Sequence, residues 1–118
     1  MKFTIYQASR QGGRKNNQDR VAYSYSREAL LMVVADGMGG HMHGEIAAQI
    51  AVQTLTDHFQ KIAKARLDDP MAFLADSITH AHFAINDYAV EQDLLEIPHT
   101  TIVAAVVQDN TAYWAHVG

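Results

Sequence analysis

Cysteine is absent from the 118 residues of this chain. Its absence excludes disulfide bonds, thiol nucleophiles and thiolate metal sites. Basic residues are also few: 9 lysines and arginines stand against 13 aspartates and glutamates, for a formal net charge of −4. We therefore expect neither nucleic acid nor anionic lipid as a partner. No apolar run is long enough to span a bilayer and no signal-peptide pattern follows Met1, which predicts a soluble, cytoplasmic protein.

What the chain does have is enough apolar content, 48% of its residues, to build the core of one domain. Its most distinctive stretch covers residues 33–45 and reads VVADGMGGHMHGE. A predicted apolar strand over residues 30–35 is followed by Asp36, then by several glycines, then by a helical pattern. Hard metal ions bind carboxylate and carbonyl oxygens, and glycine lets the backbone bend closely around them. We interpret Asp36 and Gly37 as a metal site.

Two other glycine-rich motifs do not match this stretch. A dinucleotide-binding loop requires glycine where Met42 stands. A Walker loop requires Gly-Lys-Ser/Thr at the start of the helix, where this chain has HMHGE from His41. A structural turn that carries a surface aspartate remains the alternative to a metal site.

A second aspartate is expected close to the first. The strands predicted over residues 20–26 and 29–35 are spaced as a hairpin, which brings Asp19, at the start of one strand, near Asp36, at the end of the other. Two carboxylates that converge repel each other unless a cation lies between them, and a pair of oxygen-ligated divalent ions is a common arrangement in phosphate chemistry. Two unrelated loop aspartates are the alternative.

The remaining pattern predicts an α+β layered sandwich, because strands are followed by two helices and then by strands again. The strand predicted over 100–108 is apolar on both faces, which implies layers above and below it. Its apolar residues are Val103, Ala105 and Val107 on one face and Ile102, Ala104 and Val106 on the other. The predicted elements are a strand over 3–8, a loop over 9–18, a helix from Gly44 to near Arg66, a helix from Pro70 to about Gln92 that begins at Asp69, a connection over 93–99, and strands over 100–108 and 111–117 joined by a turn at Asp109 and Asn110.

Three separated segments resemble one family, the metal-dependent protein Ser/Thr phosphatases (the PPM or type 2C group) in their bacterial form. They are GRKNNQD at residues 13–19, VADGMGGH at 34–41 with Gly-Glu at 44–45, and Thr100-Thr101 leading to AHVG at 115–118. The order and spacing of the three segments match across the whole chain. Together they are far more specific than any one of them alone.

The resemblance implies a four-layer α-β-β-α sandwich of antiparallel sheets. It also implies hydrolysis of phosphoserine and phosphothreonine on proteins with two Mn²⁺ or Mg²⁺ ions, in opposition to a Ser/Thr kinase. Transferred to this sequence, Asp36 would bridge the two ions, Gly37 would supply a backbone carbonyl, Asp19 would support the cluster and Arg14 would hold the substrate phosphate. A guanidinium suits that last task because its donors match phosphate oxygens and it stays charged.

The chain departs from the family pattern at several positions. Gln18 replaces a glutamate found in many relatives and removes one negative charge beside the metal ligands. Met38 replaces a histidine proposed as general acid in the eukaryotic branch, so the proton for the leaving group would come from elsewhere, for example from metal-bound water. His41 lies close by in the sequence and could donate a proton or order the loop.

The family also continues beyond the position of Gly118 and supplies two further metal-binding aspartates. A hydrophobic strand that runs directly into Gly118 is unlike a natural domain end. We therefore expect residues 1–118 to be the N-terminal part of a single catalytic domain, with weak Mn²⁺ binding and little activity of its own. The alternative is a non-catalytic module that binds phosphate through Arg14 or a partner through exposed apolar strands.

Overall fold

The structure, a computed structural model, describes residues 19–38 and 43–118. The elements are β1 (Asp19–Tyr25), β2 (Ala29–Met38), α1 (His43–Ile62), α2 (Pro70–Glu91), β3 (His99–Gln108) and β4 (Thr111–Val117). The predicted strand over 3–8 and loop over 9–18 lie outside the described residues. In the described ranges, no helix has the length and apolar character needed to cross a bilayer.

The strands form one antiparallel sheet in the order β1-β2-β3-β4. The hairpin between β3 and β4 turns at Asp109 and Asn110, whose φ angles of 54° and 58° place both residues in the left-handed region. This is the backbone of the two-residue turns that suit the twist of paired strands, and Asp and Asn tolerate it better than most residues. The α+β class and this hairpin are confirmed.

One face of the sheet packs on both helices. Residues at alternate positions of β2 and β3 point toward the helices and are almost completely buried. On the helix side, α1 contributes mainly small residues, which let its backbone approach the sheet closely. The central residues of this core are Ala29, Leu31, Val33, Ala35, Ala47, Ala48, Ala51, Leu55, Phe59, Phe73, Leu74, Ile102, Ala104 and Val106.

The other face of the sheet, which we call the open face, is apolar and exposed. Val34 and Val103 are cross-strand partners on it and are 45% and 48% exposed, and Trp114 is 62% exposed. The sequence predicts burial on both sides of β3, and within the described residues the helices cover only one. An exposed apolar surface of this extent marks a site where another layer of protein packs. In an α-β-β-α sandwich, that layer is the second sheet.

The connection between α1 and α2 is tied to the sheet at the end opposite Asp36. Ser26 Oγ and the Glu28 backbone N–H donate to the Ala65 carbonyl at 2.7 and 2.8 Å. The buried side chain of Gln108 accepts from the Leu67 N–H at 2.7 Å and donates to the Leu67 carbonyl at 2.9 Å. The Arg66 guanidinium forms an ion pair with Asp109 in the β3–β4 turn.

These contacts explain why α1 is shorter than its periodicity suggests. The helix ends at Ile62 and not near Arg66, because the following residues use their backbone groups to bind the sheet. The prediction for α2 is confirmed: Pro70 is its first residue, and Asp69 caps it by accepting a hydrogen bond from the Ala72 N–H at 3.0 Å.

A histidine lies between the two helices. The His58 Nδ1 atom is 2.6 Å from the hydroxyl oxygen of Ser77, which is fully buried, and its ring packs against Phe73 and His80. Burial lowers the pKa of His58 below the usual 6.5, the nearby His80 and Lys61 lower it further, and Asp76 opposes them. The charged form of His58 is therefore disfavoured in the folded chain.

Acidification should destabilise the fold through His58. Because its pKa is lower in the folded than in the unfolded state, the unfolded chain binds the extra proton, and the free energy of unfolding should fall as the pH decreases from about 6.5 toward the folded-state pKa. His58→Gln should flatten this part of the pH profile measured by urea denaturation. The control is His82→Gln on the exposed side of α2; an equal flattening in the control would contradict the assignment.

Candidate metal centre

The two predicted aspartates meet at one edge of the sheet. In the ladder between β1 and β2, Asp19 and Asp36 are direct Cα partners. Directly opposed positions of an antiparallel pair belong to the same face of the sheet, here the open face. The predicted hairpin is thus confirmed, and its register places both aspartate positions at a single edge, which we call the rim.

The rim differs from the prediction in one respect, since β2 does not end before Asp36. The strand continues through Asp36 and Gly37 to Met38, and these residues pair with Thr101, Thr100 and His99 of β3. The apolar run stops at Ala35, but the backbone ladder goes on because β3 offers hydrogen-bonding partners for the next three residues. Asp36 is therefore held within a central strand, and its backbone is more rigid than that of a loop residue.

Gly37 is required by the close approach of α1. A β-carbon built on Gly37 would lie 1.9 Å from the carbonyl oxygen of Gly44 and 3.0 Å from the backbone nitrogen of Glu45. Real side chains do not tolerate such contacts, so any residue other than glycine would push the first turn of α1 away from β2. The two glycines thus bring the start of the helix onto the rim.

An ion pair joins the same first turn to β1. The guanidinium of Arg20 binds the carboxylate of Glu45, and the side chains are 30% and 41% exposed. Arg20 follows Asp19 directly and pairs with Ala35 in the ladder. Glu45 lies in the first turn of α1, where the helix dipole favours a negative charge.

The oxygen donors at the rim are of the right kind to fill some of the coordination positions of a hard divalent cation. Like charges at directly opposed positions destabilise a sheet, and a cation between them removes the repulsion. Two carboxylates and backbone carbonyls are oxygen donors of the kind that Mn²⁺ and Mg²⁺ prefer. Across residues 19–38 and 43–118, no group of three or more His, Asp or Glu side chains is placed to hold a metal. A cation bound at the described rim would need further ligands.

Several predicted site residues are not part of the described structure. Arg14, Gln18 and His41 lie outside it, so their roles stay predictions. Met38, at the position where the eukaryotic branch has histidine, is 45% exposed at the end of β2.

Sequence reasoning missed the Arg20–Glu45 pair. Glu45 belongs to the second segment that carries the resemblance and Arg20 directly follows the first, but nothing in their spacing shows that β1 would pass beside the start of α1. Only the packing of α1 on β1 and β2 brings them together. It also missed Thr101 as the neighbour of Asp36, whose backbone carbonyl lies 3.5 Å from the Thr101 hydroxyl.

The chain matches one protein family model, described as protein phosphatase 2C, over residues 7–118. This chain belongs to the protein phosphatase 2C family. The serine/threonine phosphatase stp of Listeria innocua is 30% identical to it over 107 residues, which cover 89% of this chain and 42% of that protein. The phosphatase 2C chain described here thus spans less than half the length of that relative.

Solved structures show the same relationship. The serine/threonine phosphatase PstP/Ppp of Mycobacterium tuberculosis matches with a TM-score of 0.72 and 31% identity, over 89% of this chain and 42% of that one. The catalytic domain of PstP in complex with two manganese ions matches with a TM-score of 0.74 and 32% identity, over 89% and 43%. The α+β fold of this phosphatase 2C chain is therefore that of its relatives.

Substitution of Gly37 should disturb the rim selectively. Gly37→Ala places a methyl group against the Gly44 carbonyl and should cost about 1–3 kcal/mol of stability, with faster amide hydrogen exchange in the first turn of α1. Met38→Ala, at the exposed neighbouring position, is the control and should have a much smaller effect. Equal stability of the two variants in thermal denaturation would show that α1 does not press on Gly37.

Proposed function

We propose that residues 1–118 are the N-terminal part of a single catalytic domain of a metal-dependent protein Ser/Thr phosphatase. The reaction is the hydrolysis of phosphoserine and phosphothreonine on proteins. The observation that carries the proposal is the direct pairing of Asp19 with Asp36 at the rim. The relatives named as serine/threonine phosphatases support the substrate class.

The metal ligands within this chain are the carboxylates of Asp36 and Asp19 and the backbone carbonyl of Gly37. Bound Mn²⁺ or Mg²⁺ supplies Lewis acidity, which acidifies water and neutralises charge on the phosphoryl group. The complex of PstP with two manganese ions supports a pair of ions. The chain's contribution is to hold Asp36 and Gly37 on β2, which has a strand partner on each side, so that little reorganisation of these two donors is needed when the ions bind.

Three residues outside the described ranges also belong to the proposed site. Arg14 holds the substrate phosphate through two parallel hydrogen bonds and orients it for attack. Gln18 supports the ligands without adding negative charge. His41 orders the segment that follows Met38, or donates a proton to the leaving group.

The open face supports the view that the remainder of the domain supplies a second sheet. The chain spans 42% and 43% of the two PstP structures, so most of each relative has no counterpart in it. A second sheet on the open face would cover Val34, Val103 and Trp114 and would face the rim from the other side. The missing metal ligands then come from that sheet.

The surroundings of the protein follow from the same reaction. We propose phosphoproteins as substrates, an opposing Ser/Thr kinase and a cytoplasmic location, where a chain without cysteine needs no oxidising compartment. The alternative function is a non-catalytic module, and the observation that favours it is the open face, which suits a protein partner as well as it suits a second sheet.

Removal of the rim carboxylate tests the metal site. Asp36→Asn should weaken Mn²⁺ binding by about tenfold or more, because it replaces a charged ligand by a neutral one. Asp109→Asn makes the same chemical change in the turn at the other end of the sheet, where asparagine tolerates the φ angle of 54°, and should leave Mn²⁺ binding unchanged. Binding is followed by the paramagnetic broadening of amide signals, which detects weak sites.

Measurements of phosphatase activity and of phosphopeptide binding distinguish the proposed enzyme from the non-catalytic module. The 118-residue chain should hydrolyse p-nitrophenyl phosphate slowly or not at all, and Asp36→Asn should remove whatever Mn²⁺-dependent turnover it has. Rapid Mn²⁺-dependent turnover by this chain would show that no further ligands are needed. Phosphopeptide binding that is lost on Arg14→Ala but unaffected by Mn²⁺ or by Asp36→Asn would favour the module.

A further inference from the structure

The two ends of the sheet hold the helix pair in different ways. At the far end, hydrogen bonds from Ser26, Glu28 and Gln108 fix the α1–α2 connection to two strand turns. At the rim, the contacts of α1 with the sheet include the packing of Gly44 on Gly37 and the ion pair of Glu45 with Arg20. This side-chain pair ties the first turn of α1 to β1 beside the candidate metal ligands.

The ion pair joins elements that carry the rim. Arg20 is adjacent to Asp19 on β1, and its ladder partner Ala35 is adjacent to Asp36 on β2. Glu45 is adjacent to Gly44, whose carbonyl oxygen limits the position of Gly37. A shift of the first turn of α1 is thus transmitted to Gly37 through a backbone contact that has no flexible side chain to absorb it.

We propose that Arg20 and Glu45 are positioning residues for the cation site, and that their ion pair holds α1 against the Asp36–Gly37 backbone. The inference rests on the proposed metal-dependent function. Neither side chain is proposed as a metal ligand. The Glu45 carboxylate is already paired with Arg20, and the Arg20 guanidinium has the same sign of charge as the cation. Their effect on the metal passes through the backbone of Gly37.

An effect of Arg20 through its charge and an effect through the position of α1 predict opposite changes in Mn²⁺ affinity when Arg20 is replaced. Removal of a positive charge beside a cation site should strengthen Mn²⁺ binding if only the electric field matters, since Glu45 is then left uncompensated. If the pair positions the rim, Arg20→Gln should weaken Mn²⁺ binding, because α1 loses its tie to β1. The sign of the change therefore distinguishes the two explanations.

The double variant Arg20→Gln/Glu45→Gln removes the ion pair without changing the net charge. We expect it to weaken Mn²⁺ binding by about threefold to tenfold and to accelerate amide exchange at residues 37 and 44–46. The exchanged pair Arg20→Glu/Glu45→Arg should restore most of both properties. Arg66→Gln, which breaks the ion pair with Asp109 at the far end, is the matched control and should change neither.

The experiment uses the 118-residue chain with Mn²⁺ as the probe, paramagnetic broadening for affinity and hydrogen exchange without metal for the backbone. Unchanged Mn²⁺ affinity in the double variant, with Asp36→Asn still disruptive, would overturn the positioning role and leave the proposed function standing. Mn²⁺ binding that is insensitive to Asp36→Asn would instead overturn the proposed function. If the double variant does not fold, Arg20→Lys and the exchanged pair Arg20→Glu/Glu45→Arg provide the test. Normal Mn²⁺ affinity in both variants supports the positioning role. Tighter Mn²⁺ binding in Arg20→Gln refutes it.

Discussion

The register between β1 and β2 is the constraint on which the rest of this site depends. Successive positions of a strand belong to opposite faces, so a slip of one residue would move Asp19 to a position opposite Ala35 or Gly37, on the other face of the sheet. The turn that joins the strands opposes such a slip. The Ser26 N–H donates to the Ala29 carbonyl, and the Ser26 hydroxyl binds Ala65 of the α1–α2 connection. The closeness of two acidic positions at the rim is thus secured at the opposite end of the hairpin.

The two faces of the sheet have different partners, and this difference defines how the site is built. The face with Leu31 and Val33 is covered by α1 and α2 and gives the strands their rigidity. The face with Val34 and Val103 carries the aspartate positions at its edge and is mainly apolar elsewhere, with His116 stacked beside Trp114. In the proposed domain, a cation site at the margin of this face would be completed only when a second layer closed over it, and assembly of the domain would then be coupled to assembly of the metal centre.

Much of the fold could be predicted from local patterns. The hairpin of Asp19 with Asp36, the cap at Asp69 and the turn at Asp109 each depend on residues close in sequence, for which spacing and turn chemistry are informative. The predicted end of β2 was wrong because an apolar run reports burial, whereas Asp36 and Gly37 are held by pairing with Thr101 and Thr100, which are distant in the chain. The predicted end of α1 was wrong because the backbone groups of Ala65 and Leu67 bind Glu28 and Gln108, which are distant in the chain.

The acidic positions of the candidate site could be predicted from the sequence, whereas the contacts that hold α1 against them could not. The aspartates and Gly37 could be identified because the family pattern is carried by contiguous motifs. The contact of Gly37 with Gly44 and the pairing of Arg20 with Glu45 arise from the docking of a helix on a sheet, which no single motif encodes.

The topology of the sheet has a kinetic consequence. β2 and β3 are hydrogen-bonded neighbours, although residues 39–98, with both helices, separate them in the chain. Their ladder can form only after this long segment has been brought back on itself, which raises the contact order and slows the conformational search. The helical hairpin relieves part of that cost, because its two antiparallel arms return the chain to the end of the sheet where β3 must begin.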